Sequence, residues 1–462
     1  MSKKTILFIE PPVDYPIPIN FTGVNLGLLS LASYIRQQHG SDVVLYYQSA
    51  QMLRTLGEDL SIQRILDELR PDVVCITSIT ASSYYATQIA GRAKEFGSLV
   101  IFGGIYASLN ATEIMNECSD IDIVVHGEGE GALSDLISTL ENRHDWHNVP
   151  GITFRSGHRV ITTQKRSLLD ISRLPSPAWD VLPINVCRKL ELSATLETAR
   201  GCPFECVFCT LTDPRMWTRT LREKEPSQII SELRGAKSIG FDKIEIADPT
   251  FGINRQRTLF LCKEMRKAHL GLRLRVETRI DILDHEMLEA MIAAGVDSII
   301  IGVEAIEPRS LTAMRKTKNA VEWKLRTLNV LEQIAKKGIT VHPVFMLGWP
   351  GQRDDDLRIL TEFCTQTLGF GNGVKPFVAF ATPHPGSVLW RTRNRIGLKL
   401  VTSDLKKYIH LYPVAIPESL GPNALQLLIK THNTIRVDSR MTGRNPCISL
   451  DFVKSYADLT AA

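Results

Sequence analysis

No apolar run in this 462-residue sequence approaches the roughly 20 residues that a membrane-spanning helix needs. The run nearest the start, Ile6–Ile9, is stopped at once by Glu10, Pro11 and Pro12, so it is also too short for the core of a secretion signal. A cytoplasmic location without a membrane partner is expected. An excess of one charge is lacking too. The 54 Lys and Arg against 50 Asp and Glu leave +4, too weak a bias on a chain this long to argue for nucleic acid or an anionic surface. Tandem repeats and low-complexity tracts are absent. Apolar residues make up 44% and charged residues 23%, close to the globular norms of about 45–50% and about 25%, which excludes disordered, collagen-like and coiled-coil chains. At about 150 residues per domain, the length corresponds to roughly three units, fewer if one is a barrel.

Cysteine is sparse outside one place. Of nine cysteines, Cys75, Cys118, Cys187, Cys262, Cys364 and Cys447 stand singly in apolar or helical contexts and read as buried, reduced thiols. The other three, Cys202, Cys206 and Cys209, are packed into one short stretch.

Up to about residue 150, short β-branched runs alternate with helical periodicity. Strands are expected at Thr5–Ile9, Asp42–Tyr47, Val73–Thr77, Leu99–Phe102 and Ile121–Val125, with helical stripes such as Ile62, Ile65, Leu66 and Leu69 between them. This alternation predicts a Rossmann-like parallel sheet covered on both faces, with ligands at the carboxyl ends of its strands. Turn signals stand at those ends: Thr77-Ser78, Gly103-Gly104 and Gly127-Glu128-Gly129-Glu130. Residues 151–192 hold the Pro-rich stretch Leu174-Pro175-Ser176-Pro177 and read as a linker. From 193 to 390 six further strands are expected: Ala194–Thr198, Lys243–Ala247, Arg273–Glu277, Ser298–Gly302, Thr340–Met346 and Lys375–Phe380. With helices between them they predict a partial (βα)6 barrel, its active residues at the carboxyl ends of the strands. Residues 391–462 are expected to form a small helical region.

Directly after the first barrel strand stands Arg200-Gly201-Cys202-Pro203-Phe204-Glu205-Cys206-Val207-Phe208-Cys209. Thiolates are soft ligands for zinc or iron–sulfur clusters. A structural zinc site would want a fourth ligand from a second short-spaced pair; the next histidine downstream is His269, and the nearest upstream, His158, follows a Gly turn. Three ligands favour a cluster that leaves one iron open.

The Cys-x-x-x-Cys-x-x-Cys loop, with Phe208 just before its third cysteine, resembles the signature of the radical S-adenosylmethionine (SAM) enzymes. Further motifs at the strand ends are similar to the same superfamily. They are Asp248-Pro249-Thr250-Phe251 with Asn254, then Arg279, Ile301-Gly302-Val303-Glu304, Leu347-Gly348-Trp349-Pro350-Gly351 and Thr382-Pro383-His384-Pro385-Gly386-Ser387. Leu26-Gly27-Leu28-Leu29, Pro71-Asp72-Val73-Val74 and the glycine pairs of the first half resemble the cobalamin-binding-domain branch. The chain departs from corrinoid proteins that offer cobalt a histidine, because it has no Asp-x-His-x-x-Gly; in this branch that motif is commonly missing.

The resemblance implies that Cys202, Cys206 and Cys209 hold a 4Fe-4S cluster whose open iron takes SAM for reductive cleavage, and that these cysteines are both metal ligands and catalytic residues. It implies cofactor contacts for Phe208, Asp248, Arg279, Gly302, Glu304, Gly348, Pro350 and Gly351, and a corrin crevice lined by Thr77, Ser78, Gly103, Gly104, Gly127 and Glu128. The alternative for Arg279 is a structural ion pair; Gly348, Pro350 and Gly351 are read as a backbone wall against adenine, with an ordinary turn before a helix as the alternative. The implied activity is cobalamin-dependent methyl transfer to an unactivated centre of a small-molecule substrate in natural-product biosynthesis, with a flavodoxin or ferredoxin-type electron donor. The alternatives are a non-methylating radical SAM reaction (3-amino-3-carboxypropyl transfer as in arsinothricin-type biosynthesis, rearrangement or cyclisation) and a non-catalytic iron–sulfur or corrinoid sensor. A methylthiotransferase would need three further cluster cysteines in the first half, where only Cys75 and Cys118 stand.

Overall fold

The computed structural model describes residues 3–14, 23–40, 43–49, 62–140, 143–213, 215–216 and 219–438. In the first unit, strands β1 (Lys4–Glu10), β2 (Val43–Ser49), β3 (Val73–Thr77), β4 (Leu99–Gly103), β5 (Ile123–Val125), β6 (Ile152–Ser156) and β7 (Arg159–Thr162) form one sheet in the order β2-β1-β3-β4-β5-β6-β7. The first five are parallel. Successive residues of β1 enter opposite layers, Ile6 and Phe8 one core and Leu7 and Ile9 another, all with no exposed surface. Neither face of such a strand can meet water, so helices must cover both. Leu26–His39 and Glu130–Ser138 pack on one side; Ile62–Leu69 and Ser83–Glu95 pack on the other. Because β2 and β3 lie on opposite sides of β1, the chain reverses its winding there, and the crevice beyond the strand ends at that point is where open α/β sheets take ligands.

The second unit contains β8 (Ala194–Leu196), a short antiparallel pair β9 (Ala199–Arg200) and β10 (Arg222–Glu223), then β11 (Lys243–Ile246), β12 (Arg273–Arg279), β13 (Val296–Glu304), β14 (Thr340–Leu347) and β15 (Phe377–Phe380). The main sheet runs β15-β14-β13-β12-β11-β8, with every neighbouring pair parallel. This is the expected six-stranded open barrel. One buried apolar cluster runs from Ile6 and Phe8 of the first sheet through Leu196 and Ile246 to Leu428, so the two units share a core. Among the described residues, no helix is long and apolar enough to cross a membrane.

Two expectations need correction. The first sheet does not stop at residue 150: β6 and β7 add an antiparallel hairpin to its edge, turning at Gly157 with φ +60°. The linker therefore begins after Thr162, and Ser156-Gly157 between two β-branched runs was the sign of it. The region after 390 is not simply helical either. An antiparallel pair, β16 (Leu398–Leu400) and β17 (Ala415–Pro417), precedes helix Ala424–Asp438. Of the single cysteines, Cys75, Cys187, Cys262 and Cys364 are buried, Cys118 is half-buried, and all are free; Cys447 lies outside the described residues.

Candidate functional site

The cysteine loop leaves the short strand β9 and is anchored at its root by Asp248. This buried carboxylate accepts from Thr198 N at 2.6 Å, Ala199 N at 3.0 Å and Thr198 Oγ1 at 2.5 Å. Burial lifts its pKa to about 6 against the pull of those hydrogen bonds. Asp248 thus holds the loop in place, and the cofactor contact expected of it is corrected to this role: its oxygens are already taken by the chain. Further along, Val207 N donates to Met314 O and Cys209 N to Cys206 O, at 3.1 and 3.0 Å. Phe208 meets Trp349 edge to face at 6.3 Å, which fixes the loop against the turn after β14. The Cys202 sulfur lies 3.9 Å from Thr250 Oγ1.

All three thiols are free. Burial raises Cys206 and Cys209, the latter to about 11, while Lys316 and Arg279 pull Cys206 part-way back. Among the described residues no three His, Cys, Asp or Glu side chains converge as they would on one ion.

Arg279, at the end of β12, donates from Nη1 to the Cys206 sulfur at 3.4 Å. Its other edge forks onto Asp281 at 2.9 and 2.7 Å, its Nη2 also reaches Lys316 O, and its plane covers Phe204 at 3.7 Å. The structural ion pair is the reading that the geometry favours, and the guanidinium also serves a cysteine sulfur. Glu304 ends β13 at a bulge with φ +70°, a conformation uncommon for a residue with a side chain. Its Oε1 takes Lys316 Nζ at 3.1 Å, with both groups buried. Gly302 makes room for that pair: a Cβ there would stand 2.6 Å from Glu304 Oε1 and 2.9 Å from Lys316 Nζ. Gly348 N donates to Gln352 Oε1 at 2.8 Å, and Gly348 packs on Leu428, so Gly348, Pro350 and Gly351 form an ordinary turn ahead of helix Asp354–Leu368.

At the ends of β3, β4 and β5 lies a mostly apolar cavity of about 330 Å³, in the size range of small-ligand pockets. Thr77, Gly103, Gly104, Gly127 and Glu128 line it, as expected, and so do Glu197, Arg200 and Ala247 from the barrel. Gly104 is obligatory: with φ +91°, a Cβ would sit 2.7 Å from Ser78 O. Ser78 is fully buried behind this edge, its hydroxyl without a partner. Glu128 lines the cavity and also joins the units, its carboxylate pairing with Arg200 at 3.2 Å and with Arg222. Arg200 also binds Glu130 at 2.7 Å and Glu197 at 2.8 Å, all deeply buried.

Residue-by-residue reading of the sequence missed Glu277. Register places it next to Ala247, whose neighbour Ile246 pairs with Val276. Open space reaches the Glu277 side chain although protein surrounds it. Burial first, then Glu245, raises its pKa to about 7. Arg275, the cation on its own strand, is already bound to Glu245. An acidic residue two places before Arg279 on the lumen side of a strand was the signal.

Residues 196–364 match the Radical SAM superfamily and residues 17–137 the B12 binding domain. The chain thus carries a radical SAM domain and a B12-binding domain. It is 26% identical over 427 residues to an uncharacterized methyltransferase of Pyrococcus horikoshii, covering 90% of this chain and 88% of that one. It is also 26% identical over 413 residues to an anaerobic magnesium-protoporphyrin IX monomethyl ester cyclase of Rubrivivax gelatinosus, covering 86% and 70%. The fold matches that of the radical SAM methyltransferase TsrM from Kitasatospora setae, solved with cobalamin and a [4Fe-4S] cluster bound, with TM-score 0.74, 14% identity and full coverage of both chains.

The residues present fit the cofactors of such a protein. Three free thiols on one loop, with Arg279 donating to one of them, suit a cluster with three protein ligands. The unpaired Glu277 carboxylate suits the cationic portion of SAM. The orphaned Ser78 hydroxyl and the bare edge at Gly103, where a Cβ would meet nothing within 4 Å, suit a flat ligand laid over the strand ends.

Proposed function

We propose that the protein is a cobalamin-dependent radical SAM methyltransferase that alkylates an unactivated centre of a small molecule, in a natural-product setting. The observation that carries this reading is the meeting of two sites: the cavity at the ends of the first sheet is lined by Arg200, two residues before Cys202, and by Ala247, beside Glu277. The family's cofactors, when bound, supply a one-electron cleavage of SAM and a cobalt-borne methyl group. The chain's own part is to bind, orient and exclude water. Cys202, Cys206 and Cys209 would be the cluster ligands, and Arg279 would lower the charge on Cys206. Glu277 would take the ammonium of SAM, and the Glu304–Lys316 pair would form a rigid polar wall beside it. Thr77, Ser78, Gly103 and Gly104 would seat the corrin edge. A flavodoxin or ferredoxin-type protein is the reductant that this chemistry calls for.

A second reading, oxidative cyclisation without methyl transfer, is favoured by the cyclase relative, which matches over 86% of this chain. Anaerobic incubation of cluster- and cobalamin-reconstituted protein with SAM and dithionite separates the readings. S-adenosylhomocysteine together with 5′-deoxyadenosine supports methyl transfer, and 5′-deoxyadenosine alone supports cyclisation. Methylthioadenosine would signal aminocarboxypropyl transfer, and no SAM-derived product would leave a sensor.

A further inference from the structure

The C-terminal region brings a second group of chemistry-bearing residues to the carboxyl end of β15. His384, in the loop after β15, sets Nδ1 3.1 Å from Thr80 Oγ1 of the first unit, three residues beyond the cavity-lining Thr77. His410 meets the His384 ring edge to face, 5.5 Å between centroids. Like Glu277, His410 is reached by open space yet enclosed by protein, and it feels the charge of Glu304. Its backbone is fixed to β15 by Phe380 N donating to His410 O at 2.7 Å, and the Phe380 carbonyl lies beside its ring. The loop that presents His384 is itself pinned to the first unit, with Asn110 Nδ2 donating to Pro385 O at 3.1 Å.

Burial lowers both imidazoles, His384 to about 3, and for His410 it outweighs the opposing pull of the Glu304 charge. A neutral imidazole that turns its N–H to a carbonyl keeps its second nitrogen as an acceptor. Arg279 and Lys316 are already engaged, by Asp281 and Glu304. A neutral imidazole acceptor under the negative charge of Glu304 suits a neutral group that donates a hydrogen bond and disfavours an anion.

We propose that His410 is a substrate-binding residue that accepts a hydrogen bond from an uncharged O–H or N–H group on the molecule to be modified, with His384 and Thr80 as positioning residues. The proposal rests on the functional reading above. It names the chemical class of the substrate's anchoring group: a hydroxyl or a ring or amide N–H, not a carboxylate or phosphate.

Three probes of similar size test it on the reconstituted enzyme with SAM: phenol, which donates; anisole, which cannot; and benzoate, an anion. Dissociation constants come from saturation-transfer NMR. Phenol is expected to bind about tenfold more tightly than anisole, the scale of one hydrogen bond, with benzoate weakest. His410→Leu should abolish the advantage of phenol over anisole, whereas His410→Gln, whose amide oxygen still accepts, should keep part of it. That rescue separates an acceptor from a residue that only packs. Equal binding of phenol and anisole, tightest binding of benzoate, no binding of any probe, or an unchanged preference in His410→Leu would each overturn the proposal. Corrinoid absorbance and SAM products of the same wild-type preparation report the functional reading separately. If these are present and the probe preference is absent, only the His410 assignment falls.

Discussion

Glu277 shows how far one side chain's surroundings set its behaviour. An ordinary glutamate titrates near 4.3; this one is held up to about 7 by burial and by Glu245. Only the ionised form attracts the SAM ammonium, so affinity for SAM should fall as pH drops through about 7 in the wild type. It should be flat with pH and at least about tenfold weaker in Glu277→Gln, the loss expected of one charge-assisted hydrogen bond. Titration calorimetry from pH 6 to 8.5 checks this. Linkage gives a second readout with a fixed sign. The folded pKa lies above the unfolded one, so the native state holds the extra proton in that window and the cofactor-free protein loses stability as pH rises from about 4.5 to 7. Glu277→Gln removes that slope and should melt higher than the wild type at pH 8 without SAM. Arg279 makes a different prediction. Its N–H to Cys206 would withdraw charge from a cluster bound through that sulfur, and hydrogen bonds and net charge set cluster potentials. Arg279→Gln should shift the midpoint potential to a more negative value in a spectroelectrochemical titration, and a positive or null shift would falsify the assigned role.

At the level of elements, the strand ends carry the site, and they were largely legible. The continuous apolar run Ile6–Ile9 of β1 marked the first sheet, because a parallel strand buried on both faces reads that way, whereas β11 and β12 alternate apolar with charged residues. The glycine pairs marked the cavity for the same local reason: Gly104 has no room for a Cβ. Gly104→Ala should therefore lose corrinoid on reconstitution, read by absorbance, while cluster content holds. What could not be read was which partner each polar group chose. Asp248 looks like a cofactor residue by position, and only the folded chain shows Thr198 and Ala199 closing on it. Two backbone donors left unpaired in the interior cost about 1–3 kcal/mol each, so Asp248→Ala should lower the melting temperature and the iron content together. Glu277 and His410 stayed hidden because their strand and loop contexts are ordinary; a lumen exists only once six strands have curled round it.

For the molecule as a whole, the joint between the units is electrostatic at its centre. Arg200 leads into the cysteine loop, and its guanidinium is ringed by Glu197 from the barrel and by Glu128 and Glu130 from the first unit, with Arg222 sharing Glu128. Ser30 completes the ring, donating to Glu130 Oε1 at 2.8 Å. A second joint lies beside the loop after β15, where Asn110 Nδ2 donates to Pro385 O at 3.1 Å and Arg215 Nη1 to Leu109 O at 3.0 Å; Arg215 is steadied by Asp213, which also binds Arg391 and is drawn down to about 2. Burial alone would raise Glu130, but Arg200 overrides it and the net shift is downward. A depressed folded pKa means stability that is present above the unfolded value near 4.5 and lost as pH falls below it, so acid should part the units before it melts either core. Removing the central cation is the sharper test. Arg200→Ala leaves three buried carboxylates with too few partners, a loss of about 3–5 kcal/mol for a broken buried pair. Because the same residue borders the cavity and precedes Cys202, corrinoid and iron content should fall in parallel across a graded series such as Arg200→Lys and Arg200→Ala. If Arg200→Ala kept full corrinoid while losing iron, the network would serve the cysteine loop alone and the two cofactor sites would not be positioned through a common centre.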